Sequence, residues 1–283
     1  MRLGLYVNQT RDHDLACTRR LVGLCKDLDI TCSYDPNLLD FSSSIPGLLS
    51  EGYEDCDFLV SLGGDGTFLR TIHLGLDPTL PRWGINLGSV GFLPEVEPED
   101  LELALDALKA GRYSLEKRLL LYFQSFNAQG ELEGQGPALN DVVIQRGSFD
   151  GLIRLQLYLD QELIYEIPGD GLIVSSPTGS TAYSLAAGGP ILHPTLPAFL
   201  VTPIAPHTLW NQSFVLASET QIKMVLGARC PRASLSADGT SHLSLRTGSY
   251  VVVKKAPQDL SMVHFEGDHF FLRLPQKLRG RNQ

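Results

Sequence analysis

The chain has 283 residues, enough for about two domains of ordinary size. Hydrophobic residues make up 43% and charged residues 19%, so the chain can bury a substantial core, and no stretch is apolar enough to predict a membrane span. The net charge of −9 disfavours nucleic acid as a partner, but it does not exclude small phosphorylated ligands. The five cysteines contain no C-x-x-C pair, which indicates reduced thiols, and no signal-peptide cleavage site follows the start. We therefore expect a soluble, cytoplasmic protein with no membrane partner.

The first third of the chain alternates strand and helix patterns. A short apolar run predicts a strand at residues 3–7, and further strands are predicted at 31–34, 57–62 and 82–87. Helices are predicted after residue 12, at 68–75 and after residue 98. This alternation is typical of a parallel, doubly wound sheet. It predicts a Rossmann-like α/β domain over residues 1–112.

After about residue 112 the apolar period changes from 3.6 to 2, as in Leu155, Leu157 and Leu159. This pattern predicts a β-rich domain of two packed sheets over residues 113–255, with one short helix at 182–187. The last segment, 256–283, is mixed, and we expect it to pack back on the N-terminal domain. The predicted fold class is α/β plus all-β, with a β-sandwich-like second domain.

The sharpest local motif is Gly63-Gly64-Asp65-Gly66-Thr67, which directly follows a predicted buried strand. Its glycines let the backbone approach a ligand, and the helix that follows offers N–H groups to a phosphate. A carboxylate among such groups would oppose binding unless it ligated Mg²⁺ or accepted a proton from an attacking hydroxyl. The alternative is a tight turn in which Asp65 or Thr67 caps the helix.

Two further stretches have the residues to hold a nucleoside. In the segment 170–183 (DGLIVSSPTGSTAY), Tyr183 would stack on an adenine and Thr181 would contact its polar edge, and the alternative places Tyr183 in the core. Asn140-Asp141 has the groups to bind ribose hydroxyls, although simple turn chemistry is the favoured explanation of this pair taken alone. The histidines show no metal-ligand spacing, so no metal site built from side chains alone is predicted.

In this order the motifs resemble those of the NAD kinase family. The resemblance rests on five stretches: GGDGT at 63–67, NLGSVGFL at 86–93, ALND at 138–141, DGLIVSSPTGSTAY at 170–183 and VTPIAPHTL at 201–209. It implies transfer of the terminal phosphate of ATP, with Mg²⁺ or another divalent cation, to the 2′-hydroxyl of the adenosine ribose of NAD, giving NADP. It also implies a homodimer or homotetramer in which neighbouring subunits help to close the NAD site.

The same resemblance implies roles for individual residues. Asp65 would be the general base, and the donor phosphates would face Gly63, Gly64, Gly66 and Thr67. The positions near NAD would be Gly66, Arg70, Asn140, Asp141, Asp170 at the nicotinamide end, Thr181, Ala182, Tyr183, Ser184 and Ala205.

Two alternatives share the glycine-rich turn. A diacylglycerol-type lipid kinase would have no use for the segment 177–183, and a non-catalytic nucleotide-binding regulator would not need Asp65. Some positions also depart from the commonest family pattern. Asp141 replaces a Glu, Ala186 a Ser and Thr240 a Gln, and Pro168-Gly169 stands where an Arg is common beside Asp170. These departures concern the NAD contacts and leave the reaction class unchanged.

Overall fold

The computed structural model describes residues 1–39, 45–88, 91–147, 151–209, 211–228, 232–265, 270–271 and 274–275. It divides into two compact units, Met1–Lys117 with the segment from Leu260 onward, and Arg118–Asp259. The division therefore falls after residues 117 and 259, whereas the periodicity placed it after residues 112 and 255. The first difference arises because the strand at Ser114–Arg118 belongs to the sheet of the first unit.

The elements are numbered in chain order. The strands are β1 (Arg2–Val7), β2 (Thr31–Ser33), β3 (Leu48–Leu49), β4 (Phe58–Gly63), β5 (Arg82–Asn86), β6 (Ser114–Arg118), β7 (Leu121–Phe126), β8 (Leu132–Ala138), β9 (Asp141–Arg146), β10 (Ile153–Leu159), β11 (Glu162–Gly169), β12 (Gly171–Ser175), β13 (Ala198–Ile204), β14 (Phe214–Ala217), β15 (Ile222–Leu226), β16 (Arg232–Ala237), β17 (Ser241–Arg246), β18 (Tyr250–Lys255) and β19 (Leu260–His264). The helices are α1 (Ala16–Asp27), α2 (Asp65–Ile72), α3 (Leu101–Lys109) and α4 (Tyr183–Ala186).

The first unit is built on a seven-stranded sheet in the order β3-β2-β1-β4-β5-β19-β6. The pairs β2/β3, β1/β2, β1/β4, β4/β5 and β5/β19 are parallel. Helices α1 and α3 bury their apolar faces, for example Leu21 and Leu105, in the core of this unit. The strand order reverses between β1 and β4, which is the arrangement of a doubly wound sheet and confirms the predicted α/β class.

The second unit contains two six-stranded sheets, β11-β10-β15-β18-β7-β8 and β14-β13-β12-β9-β16-β17. Neighbouring strands are antiparallel in both sheets. Alternate residues such as Leu155 of β10 and Val174 of β12 enter one shared hydrophobic core. Two sheets packed over a common core form the predicted all-β, sandwich-like unit.

Some expectations need qualification. Helix α2 begins at Asp65 rather than at residue 68, so the glycine-rich turn is already its first turn. In the described residues no helix has the length and apolar character needed to cross a membrane. Cys17, Cys25, Cys32 and Cys56 are free thiols. Cys230, residues 89–90 of the NLGSVGFL stretch and the basic tail beyond residue 275 lie outside the described residues.

Candidate active site

The glycine-rich turn joins the end of β4 to the start of α2. Gly64 is the N-cap residue, and its carbonyl accepts the N–H groups of Thr67 at 2.9 Å and Phe68 at 3.2 Å. The N–H groups of Asp65 and Gly66 are left without an acceptor inside the helix. They lie at the positive end of the helix dipole and at the carboxyl edge of the sheet, where ligands bind in open α/β folds. These are the groups that a phosphate would contact.

Gly63 and Gly66 have opposite surroundings. Gly63 is buried, and a Cβ there would collide with Oγ1 of Thr67, whose hydroxyl accepts the Nδ2–H of Asn8 at 3.2 Å. Gly66 is exposed, and a Cβ there would meet nothing within 4 Å. Arg70, one turn further along α2, is exposed on the same helix face. Gly63 and Thr67 thus shape the turn, whereas Gly66 and Arg70 face open space.

The carboxylate of Asp65 is held by the segment that follows β5. Its Oδ1 accepts the N–H groups of Phe92 and Leu93, both at 2.9 Å, and its Oδ2 accepts the N–H of Phe92 at 3.1 Å. A Cβ on Gly91 would collide with Oδ1, so this approach requires a glycine. Helix α2 has no side-chain cap, so the alternative in which Asp65 or Thr67 caps the helix is wrong. Asp65 is a half-buried carboxylate oriented by two backbone amides.

In the second unit, one buried carboxylate organises the turn before β9. Asp238 accepts the N–H of Asn140 at 2.7 Å and that of Asp141 at 3.2 Å on Oδ1, and the N–H of Leu139 at 2.8 Å on Oδ2. The N–H of Asp238 donates in return to the carbonyl of Asp141 at 2.9 Å. The turn is therefore fixed through its backbone, and the side chain of Asn140 remains half-buried at its surface.

Asp141 is nearly inaccessible, at 6% exposure. Burial, and then the negative charge of Asp238, raise the pKa of Asp141 to about 7. Near neutral pH the group is thus divided between carboxyl and carboxylate forms, so it can donate or accept a hydrogen bond. The substitution of Asp for the more usual Glu places the titrating group closer to the backbone.

The segment after β12 turns sharply before it becomes helical. A 3₁₀ turn covers Thr178–Thr181, and Ala182 then breaks the helical geometry with a ψ of −125°. The predicted helix at 182–187 is therefore one turn only, α4. A Cβ on Gly179 would collide with the backbone of Asn140, so this glycine lets the 3₁₀ turn approach the turn before β9.

The side chains of this segment differ in accessibility. The hydroxyl of Thr181 is buried and donates to the carbonyl of Thr178 at 3.3 Å. Ser184 is also buried, with its Oγ 2.8 Å from Oγ1 of Thr202. Tyr183 is 41% exposed, so the alternative that placed its ring in the core is wrong. The ring of Tyr183 is therefore the group of this segment that a nucleotide base could stack on.

Asp170 and Ala205 lie at the other end of β12. The last residue of β12 pairs with Asp141, whereas its first residue pairs with Ile204, and a five-residue strand is about 16 Å long. The N–H of Asp170 donates to the carbonyl of Ile204 at 2.9 Å, and Ala205 follows with a φ of +41°. The predicted NAD-binding residues of this unit therefore form two clusters rather than one.

Asp170 has a cationic neighbour that the sequence did not reveal. Nε of Arg146 lies 3.1 Å from Oδ1 of Asp170, and the N–H of Arg146 donates to the carbonyl of Asp170 at 2.8 Å. Arg146 thus supplies a cationic contact to Asp170, although Pro168-Gly169 stands where an Arg is common. Antiparallel pairing of β9 with β12 brings Arg146 there from 24 residues away, and no local motif signals it. Asp238 was missed for the same reason, although its Asp-Gly turn was visible.

The described residues contain no group of three or more His, Cys, Asp or Glu side chains that could hold a metal ion. Mg²⁺ at phosphate-transfer sites needs only one or two carboxylates, because substrate phosphates and water complete its octahedron. Oδ2 of Asp65 accepts a single backbone N–H and keeps a free lone-pair direction. The residues present therefore fit a divalent ion that arrives with the donor, and not one held by the protein alone.

Comparison with known proteins identifies both units. The family model described as the ATP-NAD kinase N-terminal domain matches residues 29–113, and the model described as the ATP-NAD kinase C-terminal domain matches residues 139–265. The NAD kinase of Ruminiclostridium cellulolyticum is 34% identical over 286 residues, covering 100% of this chain and 99% of its own. That of Azotobacter vinelandii is 41% identical over 214 residues, covering 75% of this chain and 72% of its own.

Solved structures agree with the sequence matches. Yeast NADH kinase complexed with NADH superposes with a TM-score of 0.87 at 25% identity, covering 100% of this chain and 88% of its own. An NAD kinase from Archaeoglobus fulgidus in complex with ATP gives 0.76 at 27% identity, covering 99% of each chain. These matches favour an NAD kinase over the lipid kinase and the non-catalytic regulator. The chain belongs to the NAD kinase family.

Proposed function

We propose that Asp65 is the catalytic base of this NAD kinase. The enzyme transfers a phosphate group from ATP to the 2′-hydroxyl of the adenosine ribose of NAD, and NADP and ADP are the products. As the hydroxyl oxygen bonds to the terminal phosphorus and the bond to ADP breaks, the hydroxyl proton passes to the Asp65 carboxylate. The observation that carries this role is the orientation of Asp65 by the N–H groups of Phe92 and Leu93, at the start of α2.

The donor phosphates are assigned to the first turn of α2. The free N–H groups of Asp65 and Gly66 and the helix dipole supply positive potential without a large movement of the chain. Gly63, Gly64 and Thr67 support this turn through the packing of Thr67 against Gly63. A divalent ion, Mg²⁺ by preference, would arrive with the donor and neutralise charge on its phosphates, held mainly by phosphate oxygens and water so that the Asp65 carboxylate remains free to accept the proton.

The nucleotide contacts are assigned to the second unit and to the open face of α2. Asn140 and Asp141 contact ribose or adenine groups of NAD, and the exposed ring of Tyr183 stacks on the base. Thr181, Ala182 and Ser184 of the second unit, and Gly66 and Arg70 of the first, are assigned further contacts with NAD. Asp170 and Ala205 contact the nicotinamide end.

The two clusters of the second unit support a homo-oligomer, a dimer or tetramer. Asn140 with Asp141 and Asp170 with Ala205 lie at opposite ends of β12. If a neighbouring copy of the chain brings its own Asp170 to the site, each site is completed across the subunit boundary. A cytoplasmic location is proposed on the free thiols of the described residues.

Subunit mixing tests this arrangement. Asp65→Asn and Asp170→Ala chains are produced separately and by coexpression, and NADP formation is measured. If Asp65 and Asp170 of one site come from different subunits, half of the randomly formed dimers carry one intact site. Coexpression then restores about a quarter of the wild-type activity per chain. Activity no greater than that of the separate variants would contradict the shared site, and wild-type activity of Asp65→Asn alone would contradict the catalytic base.

A further inference from the structure

Arg11 brings a positive charge to the glycine-rich turn. A Cβ on Gly88 would collide with Nη1 of Arg11 and lie 3.1 Å from its Cζ, and a Cβ on Gly64 would lie 3.8 Å from Nη1. Gly64 follows β4 and Gly88 follows β5, so the guanidinium lies over two neighbouring turns at the carboxyl edge of the sheet. The guanidinium is thus in ordinary van der Waals reach of Gly64, and it occupies the space that a Cβ on Gly88 would fill.

The position of Arg11 in the topology is that of a ligand-binding residue. Arg11 lies in the loop after β1, and Gly64 lies in the loop after β4. The strand order reverses between β1 and β4, and in doubly wound sheets the two loops at this reversal border the ligand crevice. Arg11 therefore lies in the same crevice as the first turn of α2.

The loop that carries Arg11 is held at both ends. The N–H of Asn8 donates to the carbonyl of Leu62 at 2.9 Å, and the N–H of Arg11 donates to the carbonyl of Asn8 at 2.9 Å. The carboxylate of Asp12 is buried and accepts the N–H of Thr18 at 2.9 Å and its hydroxyl at 2.5 Å. Asp12 is thus committed to α1, and Arg11 sits on a pre-organised backbone.

In the part of the chain that the structure describes, no group neutralises the charge of Arg11. Its side chain is exposed, and among the described residues its guanidinium makes no ion pair or hydrogen bond. In a chain of net charge −9, an uncompensated guanidinium beside a helix N-terminus offers positive potential to a polyanion that the rest of the surface repels. A guanidinium also matches two phosphate oxygens through paired N–H groups.

We propose that Arg11 binds the terminal phosphates of the donor nucleotide and stabilises their charge during transfer. This inference rests on the assignment of the donor phosphates to the first turn of α2. The guanidinium lies on the Gly64 and Gly88 side of that turn, whereas the Asp65 carboxylate is held on the Phe92 and Leu93 side. Arg11 thus contacts the donor, and Asp65 contacts the hydroxyl that is phosphorylated.

Kinetics of Arg11→Ala and Arg11→Lys test the assignment, with Arg112→Ala as the control. Arg112 is an exposed arginine beyond the end of α3, so its removal changes the net charge equally. Arg11→Ala is expected to raise KM for ATP about tenfold or more and to leave KM for NAD within about twofold, and Arg11→Lys recovers part of the loss. Binding of inorganic tripolyphosphate, measured by calorimetry, weakens in parallel. Arg112→Ala keeps wild-type values.

The result that would overturn the inference is an unchanged KM for ATP, or a rise confined to KM for NAD, which would assign Arg11 to the pyrophosphate of NAD.

Gly88→Ala provides a second test, because its Cβ displaces the guanidinium without removing the charge. It should raise KM for ATP in the wild-type background and change it by less than about twofold in Arg11→Ala. Equal effects in both backgrounds would contradict the geometry. If Arg11→Ala lost tripolyphosphate binding while Asp65→Asn kept full activity, the role of Asp65 as catalytic base would be refuted and the role of Arg11 in donor binding would stand.

Discussion

Replacement of Asp141 by Asn should make the chain more stable at alkaline pH and leave its stability at acid pH nearly unchanged. The side chains have almost the same shape, so the packing around position 141 is retained. What changes is the charge, because Asn cannot ionise. Burial and the charge of Asp238 raise the pKa of Asp141 to about 7 in the folded chain, against 3.8 for an ordinary aspartate.

The direction of the change in stability with pH follows from the difference between the folded and unfolded pKa values of Asp141. Since the pKa of Asp141 is higher in the folded state than in the unfolded state, the folded state binds the proton more tightly. The stabilisation that this proton gives is complete below about pH 4 and is lost as the pH rises through about 7. A difference of about three pKa units corresponds to roughly 4 kcal/mol. Between pH 5 and pH 8 the free energy of unfolding of the wild type should fall by about 2–3 kcal/mol relative to Asp141→Asn.

Urea unfolding at pH 5 and pH 8 measures this difference. Glu162→Gln is the control, because it makes the same kind of acid-to-amide change at an exposed position of the second unit. The control should follow the wild type at both pH values, whereas the stability advantage of Asp141→Asn over the wild type should be about 2–3 kcal/mol larger at pH 8 than at pH 5. Parallel unfolding free energies of wild type and Asp141→Asn at the two pH values would refute the argument that Asp141 is a buried, titrating carboxyl.

The remaining predictions concern the phosphate turn and its metal. Gly63→Ala should lower the free energy of unfolding by about 1–3 kcal/mol, because its Cβ collides with Thr67, and an unchanged urea midpoint would contradict this packing. Gly66→Ala should keep wild-type stability or gain about 0.5 kcal/mol but lose activity, because its methyl group enters the open space assigned to substrate; full activity would contradict that assignment. Removal of divalent ions with a chelator should abolish NADP formation without unfolding the chain, and Mg²⁺ should restore it; persistence of activity would contradict a donor-borne ion.

The fold class was predictable because its two halves have different apolar periods. Residues 3–7 and 58–62 are mostly apolar, as buried parallel strands require, whereas Leu155 and Leu157 alternate with polar residues, as in a sheet with one buried face. Strand Ser114–Arg118 belongs to the sheet of the first unit, whereas the change of period placed residues from 113 onward in the second, because this strand is mostly exposed and carries little apolar pattern. Boundaries of this kind depend on pairing partners distant in sequence.

The site was predictable where its chemistry is local. Gly63–Thr67 is a continuous motif that predicts either a phosphate turn or a capped helix start, and Asn140 with Asp141 is a pair of neighbours. Arg11, Arg146 and Asp238 were missed because each acts through contacts between distant segments: Arg146 reaches Asp170 only through strand pairing, and Asp238 binds the turn before β9 only when the sheet has formed. The spacing of residues within a motif does not reveal contacts between segments that are distant in sequence.

The most direct test of the account is NADP formation by the purified chain with ATP, Mg²⁺ and NAD, read with an NADP-specific dehydrogenase and compared with Asp65→Asn. Calorimetry on the same samples measures NAD affinity. The account predicts NADP formation by the wild type, a loss of about 10²- to 10⁴-fold in kcat for Asp65→Asn, and NAD affinity retained by the variant. An Asp65→Asn enzyme with a kcat near that of the wild type would contradict the claim that this carboxylate accepts the proton.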